Sequence, residues 1–379
     1  MLDYETLRVL WWVLLGLLLI GFAVMDGFDL GAAILMPFVG ETDGERRIVI
    51  NTLGPVWEGN QVWLVLGGGA IFAAWPYLYA VAFSGFYLAM FLVLAALILR
   101  PVAIVYRSKV PNPLWRGAWD WALFVSGIVP ALIFGVALGN ALLGVPFRFD
   151  DTMRMTYDGN LFGLLNPFSL LCGLTSVAML TMQGSAFLAA KADAPVSERA
   201  ARIGRVAAAA TIVLFALGGL WLALGVNGYA ITSAIAPDGP SDPLLKTVVI
   251  EHGAWLKNYA VHREFLAAPI LGFVGALLAI PMLAMRRDGL AFLASSISTA
   301  GIVATVGASM FPFLLPSSLE PKAGLTIWDA SSSRLTLMIM LVATCIFLPI
   351  IIAYTAFVYR VMRGRVMQSY VTENSKTAY

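Results

Sequence analysis

Nine apolar runs, each of roughly 18 residues or more, recur along the chain, near residues 9–38, 50–74, 78–105, 120–145, 162–188, 204–226, 263–285, 290–315 and 335–360. A helix of that length crosses a hydrocarbon core about 30 Å thick at about 1.5 Å per residue. Backbone in lipid must satisfy its N–H and C=O groups internally, which leaves helices or a closed barrel. The runs hold many adjacent apolar residues and lack the short alternation of barrel strands, so helices are expected. The chain therefore reads as all-α, a polytopic integral membrane protein with about nine transmembrane helices. Its 60% hydrophobic and 12% charged content agrees.

The opening "MLDYETLRVLWW" carries acids ahead of its apolar run and has no basic n-region, so it reads as a retained first span. The organisation expected is one transmembrane domain over 1–379, longer external connections at 146–161 and 227–262, and a cytoplasmic tail at 361–379. With nine spans, sixteen of the 24 Lys and Arg residues fall on the side after spans 1, 3, 5, 7 and 9, and eight fall on the other. That excess puts the N-terminus outside and the C-terminus in the cytoplasm. The net charge of +2 is too small to suggest a nucleic-acid partner. In "WDASSSR", Asp329 or a following serine is placed to cap the ninth helix. "GGGA" at 67–70 permits close helix contact or a narrow cavity, with close contact favoured.

Charged residues inside apolar runs carry the functional signal. Asp26 and Asp29 are three apart in "GFAVMDGFDLG" and share one helix face. A lone charge at such depth costs several kcal/mol, so they read either as functional groups or as the wet end of a long tilted helix. Glu58 in "PVWEGNQVW", Arg100 in "LILRPVA", Lys109 and Asp120 gather on the same side. Arg100 needs an anionic partner if it lies in lipid depth, and Asp29 or Glu58 is the expected one. Lys109 and Asp120 read first as interface anchors. Cys172 and Cys345 both fall inside spans and suggest neither a disulfide nor a metal site. The two histidines, His252 and His262, fall in an external connection or its margin, so this chain by itself is not a bis-His cytochrome. Nucleotide, zinc and nucleophile-elbow motifs are absent.

The stretches "DYETLRVLWWVLLGLLLIGFAVMDGFDLG", "GERRIVINTLGPVWEGNQVWLVLGGGAIFAAWP", "LLNPFSLLCG", "MFPFLLPSS" and "LTIWDASSSRLTL" resemble subunit II of cytochrome bd quinol oxidases. The resemblance implies a nine-helix chain of two four-helix bundles plus one peripheral helix, paired with a haem-bearing subunit I of similar fold. It implies a complex that oxidises quinol on the outer side and reduces oxygen to water with cytoplasmic protons. Small single-span accessory subunits occur in that family. Haem b595 and haem d are ligated by subunit I, and this chain shares their environment without an axial ligand or catalytic residue of its own. Some members hold a structural quinone in subunit II.

By matching motif, Asp26, Asp29, Trp57, Glu58, Arg100, Lys109 and Asp120 are carried over as proton-path or haem-environment positions, and Trp63 as an oxygen-access position. Many members have aspartate where Glu58 stands, and some have aspartate at Val105, which puts one branch of a cytoplasmic proton route in doubt here. Two other readings stay open: a proton-coupled transporter, and a structural subunit in which a pair such as Asp29 and Arg100 locks the helices.

Overall fold

The computed structural model describes residues 2–374, so Lys376 and Tyr379 of the expected tail lie outside the described residues. The chain folds as α1 (Tyr4–Val39), α2 (Asp43–Leu53), α3 (Trp57–Ala74), α4 (Pro76–Gly85), α5 (Tyr87–Tyr106), α6 (Pro113–Leu143), α7 (Pro167–Lys191), α8 (Val196–Gly225), α9 (Ala254–Val261), α10 (Ala267–Ala284), α11 (Asp288–Met310), α12 (Arg334–Val361) and α13 (Gln368–Glu373). Helix starts follow local chemistry. Asp3 accepts from the Thr6 N–H, Thr42 and Glu45 form a reciprocal capping box on α2, and Asn112 and Asn166 cap α6 and α7 ahead of a proline. Ser333 caps α12, which answers the choice between Asp329 and a serine.

Eight helices among the described residues are long and apolar enough to cross a membrane: α1, α5, α6, α7, α8, α10, α11 and α12. The expected second run, 50–74, differs. Its first residues finish the short α2, and the rest forms α3, whose opening Glu58, Asn60 and Gln61 make it too polar to be counted. Helix α3 nevertheless runs beside α1. Asn60 meets Asp29 at one end, and at the other the carbonyl of Ala74 receives the N–H of Ser332, whose own carbonyl binds Tyr4. The expected third run, 78–105, is broken at Phe86 into α4 and α5.

Helices α7, α8, α10 and α11 pack in a ring, α1 lies against α3, α6, α7 and α11, and α5 packs along α6. Helix α12 leans on α1 and α3 and fully buries only Leu337. Glycines set the tightest crossing. A Cβ on Gly31 would stand 1.9 Å from the Leu180 carbonyl oxygen, and one on Gly184 would stand 2.3 Å from the Gly31 carbonyl carbon. In the "GGGA" run, Gly67 and Ala70 are buried towards the first helix, while Gly68 and Gly69 have nothing beside them.

A polar layer closes one end of the bundle. The 146–161 connection forms the hairpin β1 (Phe147–Phe149) with β2 (Met155–Tyr157), and the 227–262 connection forms β3 (Asn227–Ile231) with β4 (Val248–His252), followed by α9. A third hairpin pairs β5 (Phe313–Leu315) with β6 (Leu325–Thr326). Tyr229 and Trp255 donate to the last carbonyls of α6, Leu143 and Leu142, so helix-end groups are satisfied by side chains of the layer. A buried ion pair, Lys246 to Asp329 at 2.9 Å, joins two of its loops.

Candidate functional site

Helix α1 carries Asp26 and Asp29 into the bundle on one face, and both are fully buried. Small residues around them let other helices approach. Gly27 sits against Leu180 of α7, and Gly127 of α6 sits against the Leu30 backbone. Arg100 of α5, 1% exposed, donates from Nη1 to Asp26 Oδ1 at 2.6 Å. Asn60 of α3 donates from Nδ2 to Asp29 Oδ2 at 2.7 Å, and the Tyr359 hydroxyl of α12 donates to Asn60 Oδ1 at 2.9 Å. Gln183 of α7 sits next to the site, donating to the Val24 carbonyl and to Ser296, and accepting from Ser295 at 2.5 Å.

The cluster is under-satisfied. Asp26 Oδ2, Asp29 Oδ1 and Arg100 Nε and Nη2 are buried with no hydrogen-bond partner in the chain. Two carboxyl groups share one guanidinium, and the group as a whole is neutral when it holds one proton. Binding one proton brings the cluster to neutrality, and releasing it leaves one net negative charge beside a cation, which a low-dielectric interior penalises less than a carboxylate alone.

Arg100 pairs with Asp26, not with Asp29 or Glu58 as expected from the sequence. Glu58 is exposed. The reason is helical: Asn60 faces α1, and Glu58, two residues earlier, is turned about 200° away from it. Trp57 is buried among residues of α1 and α2. Trp63 is half-buried, and its ring occupies the space that a Cβ on Gly21 would need. It lines a lateral apolar groove of about 660 Å³ between α1, α3 and α12, with Trp11, Leu18, Gly69 and Phe347.

Lys109 is exposed, as an interface anchor would be, and so is Val105. Asp120 is not a simple anchor. It is buried between Arg107, which binds it from Nε, and Arg46, at 2.7 Å. Arg107 and Arg116 also hold Asp43, at 3.0 and 2.8 Å. This ion network ties α2 to the α5–α6 turn. Nearby, Glu45 is partly desolvated, which works upward on its carboxyl. The Arg199 hydrogen bond at 2.7 Å and the N–H groups of Glu41 and Thr42 outweigh that and hold it below the usual range.

Asn60, Tyr359 and Gln183 were not singled out from the sequence. Lone amides in apolar runs, Asn60 in "WEGNQVW" and Gln183 in "LTMQGSA", were the available signal. Axial haem ligation by histidine inside the bundle does not fit this chain. His252 lies on β4, and His262 follows α9 beside Glu264. No group of three or more His, Cys, Asp or Glu among the described residues converges to hold a metal ion.

Residues 7–362 match the family described as cytochrome bd terminal oxidase subunit II. The chain is 48% identical over 379 residues to a probable cytochrome oxidase subunit 2 of Haemophilus influenzae, with all of both chains covered. It is 48% identical to the cytochrome bd-I ubiquinol oxidase subunit 2 of Escherichia coli K12, again over the whole of both. To the cytochrome bd ubiquinol oxidase subunit 2 of Bacillus subtilis it is 30% identical over 366 residues, covering 95% of this chain and 97% of the relative. A solved chain of the bd oxidase from Geobacillus thermodenitrificans superposes with a TM-score of 0.69 at 20% identity, over 94% of this chain and 98% of that one, which is a likeness of fold.

Proposed function

This chain belongs to the cytochrome bd terminal oxidase subunit II family, and on that footing we propose that it seats the haem-bearing subunit I and carries protons towards it from the cytoplasm. The complex oxidises quinol, with ubiquinol suggested by the names of the relatives, and reduces oxygen to water. In this proposal haem b595 and haem d are ligated by the partner. The N-terminus and the polar layer face the periplasm, and α2 and the C-terminal segment face the cytoplasm.

The observation that carries the proton role is the surplus carboxyl group. A helix lock needs one carboxylate for one guanidinium, and Asp26 already balances the charge of Arg100. Asp29 is kept equally buried beside that pair, and the cluster balances its charge with one bound proton. The experiment is Asp29→Asn in the assembled complex, with oxygen consumption and haem content measured together. Full haem with turnover lowered at least about tenfold is expected for a lost proton carrier. Full haem with full turnover refutes the role, and loss of haem makes Asp29 a structural residue.

The seating role is supported by α3. Its exposed Glu58, Val62, Val65, Gly69 and Phe72 recur at alternating spacings of four and three, the pattern of a helix seam. An exposed glutamate and an open glycine on such a helix suit a protein neighbour better than lipid. A helix of subunit I laid along this face would also wall off the groove at Trp63, giving oxygen an apolar entry from the bilayer.

A further inference from the structure

We propose that Asn60 and Tyr359 are positioning residues for Asp29, with the Tyr359 hydroxyl fixing the amide of Asn60 so that its N–H is always presented to the Asp29 carboxyl group. This inference rests on the proton-carrying reading of the Asp26, Asp29 and Arg100 cluster.

The amide of Asn60 is 1% exposed and stands between two polar groups, so its orientation is set by what those groups offer. Its Oδ1 accepts from the Tyr359 hydroxyl at 2.9 Å, which leaves Nδ2 to meet Asp29 Oδ2 at 2.7 Å. Turned over, the amide would set its oxygen against the carboxyl group, an arrangement open only to a protonated Asp29, which could donate to it. A phenol that donates therefore selects the donating face of the amide. Phenylalanine would not, because it offers Oδ1 no proton and lets the amide rotate.

The chain of contacts also tells which element controls Asp29. Tyr359 is on α12, the helix least held by the rest of the fold, and its ring packs edge-on against Phe28 of α1. Just past the helix, Lys191 binds the Met362 carbonyl at 2.5 Å and Arg365 binds Asp288 at 2.7 Å. These anchors hold the cytoplasmic end of α12 in the register that brings the hydroxyl to Asn60. The peripheral helix thus reaches the buried carboxyl group through one amide.

The test is a double-mutant cycle on the assembled oxidase, using Tyr359→Phe, Asn60→Ala and the two together. Tyr359→Phe keeps the ring and its packing, so haem content is expected to stay full while oxygen reduction slows about two- to tenfold, the worth of one hydrogen bond. In the Asn60→Ala background the same change is expected to slow it no further. An equal slowing in both backgrounds, or no slowing in the parent, overturns the proposal. Infrared difference spectra supply a second readout, independent of how well Asn60→Ala assembles. The protonated-carboxyl band that Asp29→Asn abolishes should move to higher wavenumber in Tyr359→Phe, and an unmoved band counts against the proposal. Should Asp29→Asn itself turn over at full speed, the proton reading falls. Should Asp29→Asn be slow while Tyr359→Phe matches the parent in rate and band, only the positioning role falls.

Discussion

Replacing Arg100 with glutamine should be among the most damaging single changes in the helical core, and more damaging than replacing its partner Asp26 with asparagine. Arg100 and Asp26 are buried to within 1% of full and meet at 2.6 Å. Arg100→Gln removes the cation and leaves two buried carboxyl groups with none, a loss of about 3–5 kcal/mol for a broken buried pair. Asp26→Asn is different, because Asp29 remains within electrostatic reach of Arg100. The remaining carboxylate limits that loss to about 1–3 kcal/mol, the range for a buried polar group losing its partner. Replacing both partners by apolar residues of similar volume, Asp26→Leu with Arg100→Met, removes the desolvation cost along with the attraction and should recover much of the stability. Thermal unfolding of the purified complex, with haem content measured beside it, ranks the three. The ordering expected is Arg100→Gln worst, then Asp26→Asn, with the apolar pair above Arg100→Gln. Arg100→Gln with parental unfolding, or an Asp26→Asn loss larger than that of Arg100→Gln, would refute the shared-cation account.

Glu45 should make the turn between α1 and α2 acid-sensitive. Its folded-state value lies below its ordinary 4.5, so the stabilisation is present above that pH and is lost as pH falls through the lower folded value. Followed by thermal unfolding from about pH 6 down to about pH 3, the parent should lose more stability than Glu45→Gln, and parallel curves would count against it. Orientation is open to direct measurement: a reporter fused after Tyr379 should read cytoplasmic and one inserted at Asp151, in the β1–β2 turn, should read periplasmic, while reversed signals would overturn the charge-based topology.

Much of the fold is legible in hydropathy because lipid imposes a one-dimensional rule: a helix that crosses must be apolar for its full length. The rule reads α1, α6, α7 and α8 well, and it blurs where the chain is shielded from lipid. The 50–74 run hides a turn at Gly54, since α2 contributes Ile48, Val49, Ile50 and Leu53 to a core of its own with α1. The hairpins of the polar layer are short, and their residues are fixed by contacts with helix ends far away in sequence, such as Tyr229 with Leu143.

The site was legible in its residues and not in its pairing. Spacing alone puts Asp26 and Asp29 on one face, but which of them meets Arg100 depends on how far α5 slides along α6 and α1, a translation that no local pattern records. The link from Tyr359 to Asn60 spans 299 residues and exists because α12 returns to the first helices. Glu58 marks a different limit. Its charge is visible in the sequence and its exposure in the fold, and neither tells what lies against it. On the proposal that a helix of subunit I lies along this face, the polarity of α3, which keeps it out of the apolar helices, is the imprint of that partner.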